Sequence, residues 1–416
     1  MNYPTEKLGN HIQVLSGFAF KSKDFSDTGI PVIKIKNITP PSVSLIDLSY
    51  VPEEIADQNR KFILSYDDVL IALTGSHINQ MASVVGRVAK VKYSEKTVLN
   101  QRVGKITVND SDDCDLDFVY YYLSQDKVKI ELASKAGGAA NQANISPTDI
   151  KNLIFPFPNI DVQRKIASVL RTYDDLIENN QKQIKLLEEA AQRLYNEWFI
   201  DLRFPGHETT LIVDGIPEGW TYKPFSEVFD YVRGKSYTSK ELSDTTGILM
   251  ANLKNIRAFG GYNRNAEKRF TGQYKANQML YAGDIVMGVT DMTQERRLVG
   301  HVALVPDLGE KMTFSMDLIK IIPKLTDNLF LYSAMCYGGL SKQISPLANG
   351  VNVLHLKPEA MMGIEMLTPT KDILERYHQQ FAPMVTRIEA LQKQCDVAAE
   401  ARDRLLPKLM SGEIEV

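Results

Sequence analysis

Gly234-Lys235-Ser236 carries the residue types that close a phosphate-binding loop, and Asp149-Ile150-Lys151 those of a carboxylate–lysine nuclease fragment. Neither pattern is complete. A phosphate loop needs a glycine where Phe229 stands, because backbone amides must close around the phosphate oxygens. Asp149 lacks companion carboxylates in a strand context and precedes a proline-rich stretch, so it reads as a surface turn. His11, His77, His207, His301, His355 and His378 show no metal-ligand spacing with one another or with Cys114, Cys336 and Cys395. No G-x-G-x-x-G follows a strand, and the amino-methyltransferase pattern of Asn or Asp, two prolines and an aromatic does not occur. The expectation is a chain that binds no cofactor or metal and is not catalytic by itself.

What remains is recognition by charge and hydrogen bonds. Polar and basic segments recur at matched places in the two halves of the chain. Such groups suit a polyanion whose edges carry donors and acceptors: Lys and Arg for phosphate or guanine, amides and hydroxyls for base edges. The first pair of segments is Ser16–Lys21, offering Lys21, against Arg233–Thr238, offering Arg233, Lys235 and Ser236. The second sets Lys34, Lys36 and Asn37 against Lys254, Asn255 and Arg257. The third sets Thr74, Ser76, His77, Asn79 and Gln80 against Thr290, Thr293, Gln294, Arg296 and Arg297. The fourth sets Asn141 and Gln142, after Gly137 and Gly138, against Asn349 and Asn352 around Gly350. The third pair diverges most between otherwise matching halves, which is what base reading requires. Lys36, Arg87, Arg233, Lys235, Lys254, Arg296 and Arg297 are the candidates for phosphate or guanine. The bland reading stands beside each: a glycine-rich polar loop is ordinarily a turn, and a surface lysine is ordinarily solvated.

These segments need elements to hold them, and the chain supplies the same set twice. Leu8–Phe20 matches Phe225–Tyr237, with Gly17 opposite Gly234. Gly29–Ile38 matches Gly247–Ile256, Tyr66–Thr74 matches Ala282–Thr290, Val85–Val91 matches Val299–Val305, and Asn144–Pro147 matches His355–Pro358. Pro158–Trp198 then lies on Pro369–Leu409 without a gap. Each match is weak; their shared order points to an internal duplication. In the long segments, apolar positions step by four and three alternately. Ile166, Leu170, Tyr173, Ile177, Ile184, Leu187, Ala191, Leu194 and Trp198 mark the first seam, and Tyr377, Phe381, Met384, Ile388, Leu391, Cys395, Ala398, Leu405 and Leu409 the second. That is the period of a coiled-coil seam. Asn180 and Arg402 are its polar exceptions; Asn180 is either a buried register device or a partly exposed seam position. Pro383 should kink the second helix or mark its true start, and Pro407 belongs to its last turn.

Within the heads, strands are expected at Val32–Ile35, Val69–Ala72, 84–91 and Lys105–Val108, and helices at Leu116–Lys135 and Leu329–Cys336. Val213–Gly219 reads as a linker. The expected fold class is mixed α/β: two duplicated globular domains separated by two long helices packed as an antiparallel coiled coil, with pseudo-twofold symmetry. The domains are 1–157, a first long helix over 158–205, linker and second head over 206–368, and a second long helix with tail over 369–416.

A chain of 416 residues exceeds one ordinary core, and its 44% hydrophobic and 24% charged residues describe a globular protein. No apolar run is long enough to span a bilayer, and the first ten residues carry no signal-like apolar region. Three scattered cysteines fit a reducing compartment, so a cytoplasmic protein is expected. A net charge of −3 argues against indiscriminate polyanion binding but leaves local basic patches open.

The chain resembles the specificity subunit of type I restriction–modification systems over nearly its whole length. The resemblance rests on Phe155-Pro-Phe-Pro158 followed by Gln163-Arg-Lys-Ile166, on Leu194-Tyr-Asn-Glu-Trp-Phe199 followed by Phe204-Pro-Gly206, on Ile216-Pro-Glu-Gly-Trp220, and on Arg404-Leu-Leu-Pro-Lys-Leu-Met-Ser-Gly-Glu-Ile414. It implies that each head is a target recognition domain reading one half of a split, asymmetric site in double-stranded DNA. It implies that the helices set the spacer and dock two modification (methyltransferase) subunits, with restriction (translocase and nuclease) subunits completing the assembly. S-adenosylmethionine, ATP and Mg2+ would then belong to those partners. The alternatives are the specificity subunit of another multisubunit restriction system, a two-headed coiled-coil scaffold for proteins, and an enzyme whose distributed site leaves no short motif.

Overall fold

The structure is a computed structural model describing residues 3–75, 85–136, 143–258, 260–292 and 296–416. Contacts divide the chain into two compact units, Met1–Asn179 with Cys395–Val416, and Asn180–Gln394. Each unit therefore holds one sheet-rich head together with a length of both long helices.

In the first unit, the apolar run Val69–Ala72 is buried on both faces and forms the middle of a six-stranded sheet. Its neighbours are Val103–Val108 and Val88–Lys90; Ile12–Ser16 pairs beyond Val103–Val108, and Ser42–Val43 and Ile38–Thr39 extend the other side. A second sheet sets Ile30–Ile33 between Val98–Leu99, parallel, and Ser49–Val51, antiparallel. In the second unit, Phe229–Arg233, Leu318–Pro323, Ile285–Gly288 and Val302–Leu304 form a four-stranded antiparallel sheet. There Ile248–Ala251 lies between Met312–Phe314, parallel, and Lys268–Phe270, antiparallel. Strand order and sense thus recur from one head to the other.

The close approaches recur as well. Gly17 N–H donates to the Val103 carbonyl at 3.0 Å and Phe18 N–H to that of Leu99 at 2.9 Å. Gly234 N–H donates to Leu318 at 3.2 Å and Lys235 N–H to Phe314 at 2.8 Å. A Cβ at Gly17 would stand 2.3 Å from the Asn100 carbonyl oxygen, and one at Gly234 only 1.9 Å from that of Ser315. Glycine is required at both places because two backbones cross there. That crossing, not a phosphate, explains the Gly234-Lys235 pattern.

Several elements differ from the sequence-based expectation, each for a local reason. The strand expected at Val32–Ile35 is Ile30–Ile33, because Lys34 N–H turns to the Asn37 Oδ1 at 3.0 Å and opens a 3₁₀ turn over Ile35–Asn37. The helix expected over Leu116–Lys135 divides at Gln125, whose ψ is 136°; its buried Nε2 donates to the Tyr122 carbonyl at 3.1 Å and ends the first piece. Val213–Gly219 is not a bare linker. Ile212–Val213 and Ile216–Pro217 form a hairpin across Asp214 and Gly215, whose φ values of 51° and 84° are those of a tight hairpin turn. Asp149 accepts from Ser146 N–H at 2.8 Å, completing a capping box on Pro147–Lys151.

The long helices are Ile160–Tyr195, followed by a π turn at Asn196–Ile200, and Lys371–Ser411. The second runs unbroken through Pro383, so that residue is not its start. Pro383 and Gln379 are both exposed, so water can bond the carbonyl that Pro383 leaves without a donor. The two helices pack against each other, and contacts run in opposite directions. Cys395 Sγ lies 3.8 Å from the Ile177 carbonyl oxygen and Arg402 Nη1 2.6 Å from Asp174 in the first unit. In the second, Asn180 Nδ2 donates to Gln394 Oε1 at 3.2 Å and Arg387 Nη2 to Gln183 Oε1 at 3.3 Å. Asn180 is buried, so the exposed-seam alternative does not hold. Seam residues join the core of the adjacent head: Ile166, Leu170 and Leu409 with Phe118, Tyr121 and Phe155 in the first unit, and Ala191, Trp198, Tyr377 and Phe381 with Phe225, Phe229 and Phe330 in the second.

Candidate nucleic-acid interface

The central sheets bring the ends of distant strands to one edge. In the second unit, Arg233 closes the strand Phe229–Arg233, Leu318 opens Leu318–Pro323, and Gly288 closes Ile285–Gly288. Lys235 carbonyl accepts from Met316 N–H at 2.9 Å, Val289 N–H donates to Asp317 at 2.9 Å, and Leu356 N–H donates to Val289 at 2.8 Å. The chain then continues into Thr290–Asp291, paired antiparallel with Leu354–His355. Arg233, Lys235, Ser236, Asn349 and Asn352, proposed from separate segments, thus gather along one edge. Thr290, also proposed, is buried there with its Oγ1 sharing a hydrogen bond with His355 Nδ1 at 3.2 Å, so its hydroxyl is taken up by the strand pairing.

The first unit builds its edge by the same route. Leu73 N–H donates to Arg102 at 2.9 Å and Ile145 N–H to Leu73 at 2.8 Å. Thr74–Gly75 then pairs with Ala143–Asn144. The segments matched in sequence, Thr74 with Thr290 and Asn144 with His355, are therefore strand partners within each unit. Ser76, His77, Asn79, Gln80, Asn141, Gln142, Thr293 and Gln294 lie outside the described residues.

The remaining candidates separate by environment. Lys21, Lys36, Lys254 and Arg297 are exposed. Lys36 and Lys254 occupy equivalent 3₁₀ turns, Ile35–Asn37 and Leu253–Asn255. Lys34 is half-buried, donates to Ser49 Oγ at 2.8 Å and sits 4.1 Å above the Phe25 ring. Burial, with Lys36 nearby, lowers its ammonium below the ordinary lysine range. Arg233 is held by both carboxylate oxygens of Glu359, at 2.6 and 2.8 Å, and Tyr231 donates to the same carboxylate at 2.6 Å. The Tyr231 and Arg233 bonds hold the Glu359 carboxyl down at about 2. Arg296 has φ 53° and, among the described residues, a buried Nε without a partner. Such an orphaned donor on a left-handed residue marks local strain at that position.

Two expectations need correction. Asn37 is buried; its Oδ1 accepts from Lys34, and its Nδ2 donates to the carbonyls of Ser44 and Ile46 at 3.1 and 3.0 Å. Asn255 repeats this, accepting from Asn252 N–H at 2.9 Å and donating to the Asn263 carbonyl and Glu267 at 2.9 and 3.0 Å. Both amides have spent their donors on shaping the turns beneath Lys36 and Lys254, and none is left for a base edge. Arg257 turns to the first long helix and pairs with Glu188 at 3.1 Å. Arg87, whose carbonyl accepts from Ala72 N–H at 2.9 Å, lines a cavity of about 530 Å³ shared with Pro40, Tyr120, Asp174 and Arg402.

Some residues of this surface carry no sequence signal of polarity or charge. Met292 and Val351 are 77% and 88% exposed at the end of the paired strands. Their apolar type hides them from a search for donors; only their place within matched divergent loops could have shown them. Among the described residues, no group of His, Cys, Asp or Glu could hold a metal, and no helix is long and apolar enough to cross a membrane.

Residues 3–189 match the family model described as the type I restriction modification DNA specificity domain. Among characterised relatives, the type I restriction enzyme MjaIX specificity subunit of Methanocaldococcus jannaschii is 28% identical over 318 residues, covering 71% of this chain and 68% of its own length. The MjaVIII specificity subunit of the same organism is 26% identical over 194 residues, 46% of this chain and 44% of its own. The fold is like that of the type I restriction-modification system S subunit from M. genitalium, with a TM-score of 0.59, 15% identity, and coverage of 99% of this chain and 96% of that one.

Proposed function

We propose that the chain, which matches the type I restriction modification DNA specificity domain over residues 3–189 and is similar to specificity subunits, is itself a type I specificity subunit and that each head reads one half of a bipartite, asymmetric DNA site. The observation that carries this reading is the repeated sheet edge. Two heads that share the order of four central strands place Thr74–Gly75 and Thr290–Asp291 at equivalent positions, and the sequences that follow, to Gln80 and to Arg297, differ. The common framework reflects an internal duplication, and the divergence gives unlike half-sites. Lys21, Lys36, Lys235, Lys254 and Arg297 anchor phosphates, while polar groups at the strand ends address base edges.

In this reading the long helices hold the half-sites at a fixed interval and dock two modification subunits. Thirty-six and 41 helical residues extend about 54 and 62 Å, more than one turn of duplex, roughly 34–36 Å. Methyl transfer, translocation and cleavage, with S-adenosylmethionine, ATP and Mg2+, belong to the modification and restriction partners, and the assembly works in the cytoplasm.

Long-read detection of methylated adenine in cells carrying this chain with its modification subunit tests the reading. The expected result is one split motif with unequal halves. Inserting one heptad in both helices should shift only the unread interval. An uninterrupted motif, or methylation independent of this chain, would overturn the proposal.

A further inference from the structure

The loop between Asn349 and His355 is closed at its base and apolar at its tip. Asn349 N–H donates to the His355 carbonyl at 3.0 Å, and His355 N–H donates back at 2.9 Å. Buried Ala348 and Leu354 root the loop in the core of the second unit. Gly350 has φ 154°, and a Cβ there would lie 1.9 Å from the Val353 carbonyl oxygen, so the turn is tight. Val351 stands at the tip, 88% exposed, with Met292 exposed at the same end of the paired strands. Asn352 follows, exposed and, among the described residues, with no hydrogen bond from its amide, whereas Asn349 Nδ2 is committed to the Leu347 carbonyl at 3.0 Å.

An isolated exposed valine is ordinary. An exposed valine followed by an unbonded asparagine, on a turn that backbone bonds hold still, matches one nucleic-acid surface closely. In the major groove an A·T pair presents adenine N7 and N6–H₂ beside thymine O4 and its C5-methyl. Asparagine bonds the adenine edge through two atoms, and an aliphatic group packs on the methyl. Minor-groove edges offer no methyl, and a phosphate would call for a cation in place of Val351. We propose that the Val351-Asn352 turn reads an A·T pair, with the Asn352 amide on adenine and the Val351 methyls against thymine. The proposal rests on the reading of the second head as a DNA-recognition domain and adds the base pair and two specificity-determining side chains.

The test uses the full chain assembled with its modification subunits and a duplex bearing the methylome-defined site. Each thymine of both half-sites is replaced in turn by deoxyuridine, which keeps the pairing and removes the methyl. Wild type should lose about fourfold in affinity at one position, the worth of one buried methyl. Val351→Ala should lose affinity for the thymine duplex and show no further loss with deoxyuridine there. Asn352→Ala should lose on the order of tenfold and accept other pairs at that position alone. Both variants change exposed tip residues, and unchanged unfolding temperatures would confirm intact folds. Equal deoxyuridine effects in wild type and Val351→Ala, or half-sites without an A·T pair, would overturn the assignment while site-specific binding persisted. Loss of all sequence preference in the wild-type assembly would instead bring down the recognition reading and the proposal with it.

Discussion

At the scale of single residues, charge on the candidate surface is controlled as much by what restrains a cation as by the cation itself. Arg233 sits on the sheet edge, yet Glu359 occupies it in a two-point ion pair. Glu359→Gln should release that guanidinium toward DNA, raising affinity for all duplexes and steepening the slope of log affinity against log salt by about one unit. Titration of a labelled duplex at several salt concentrations measures both, and an unchanged slope would place Arg233 away from the phosphates. The pH dependence follows from the same pair. The Glu359 carboxyl lies at about 2 in the folded chain, against roughly 4.3 when unfolded. Its contribution is therefore complete above the unfolded value and is lost as pH falls through the folded one, so binding assays near neutrality do not titrate it. Both groups are largely exposed, so water screens what the pair adds to stability. Charge type was legible in the sequence here; the partner was not, because Glu359 lies far along the chain and only the fold brings it to Arg233. Asn37 and Asn255 show the converse. Their matched positions were visible, but matching alone does not distinguish a reader from a framework residue.

At the scale of elements, each head is tied to its stretch of helix by polar groups set among apolar ones. Gln163 is buried, accepts from Asp115 N–H at 3.0 Å and donates to the carbonyls of Pro158 and Asp113 at 2.8 and 3.2 Å. Asp174 accepts from Tyr121 at 2.6 Å and from Arg402 at 2.6 Å. Burial works against the Arg402 charge, but Asp174 and Asp403 outweigh it and raise the guanidinium above its ordinary value. Arg402→Met would leave Asp174 half-buried beside the Tyr121 hydroxyl alone, so a loss of about 3–5 kcal/mol is expected. Changing Asp174→Leu in the same chain should recover much of it, because packed apolar side chains replace a buried pair with little cost. Chemical denaturation measures both variants; a single variant as stable as wild type would mean that water reaches the pair. The seams themselves were readable, since a period of 3.5 leaves few alternatives over ten positions. The helix break at Gln125 was not, because it depends on one amide capping a carbonyl behind it.

At the scale of the whole molecule, the two heads keep separate cores. Apolar clusters around Phe118 and Phe155, around Ile33 and Leu70, and around Val32 and Val98 belong to the first unit, while those around Phe229 and Tyr377 and around Phe314 belong to the second. If each head reads one half-site, as proposed, replacing residues 1–155 by the first head of a similar specificity subunit should change one half-site of the methylated motif and leave the other as it was. The cut falls before the helix, so the new head must meet the old Gln163, Ile166, Leu170, Leu406 and Leu409. Grafts that keep the apolar surface facing these residues, and an acceptor-ready backbone for Gln163, should fold. Grafts that bury an unmatched polar group there should lose about 1–3 kcal/mol each and methylate poorly at higher temperature. Long-read methylation data from cells with the exchanged chain score both outcomes. A chimera that stays active and alters both halves would mean that the heads do not read independently. The sequence made this experiment conceivable, because ordered repeats are visible in one chain. Where the cut is safe follows only from the structure, because Gln163 ties the head to the helix several residues beyond the apparent end of the head at residue 157.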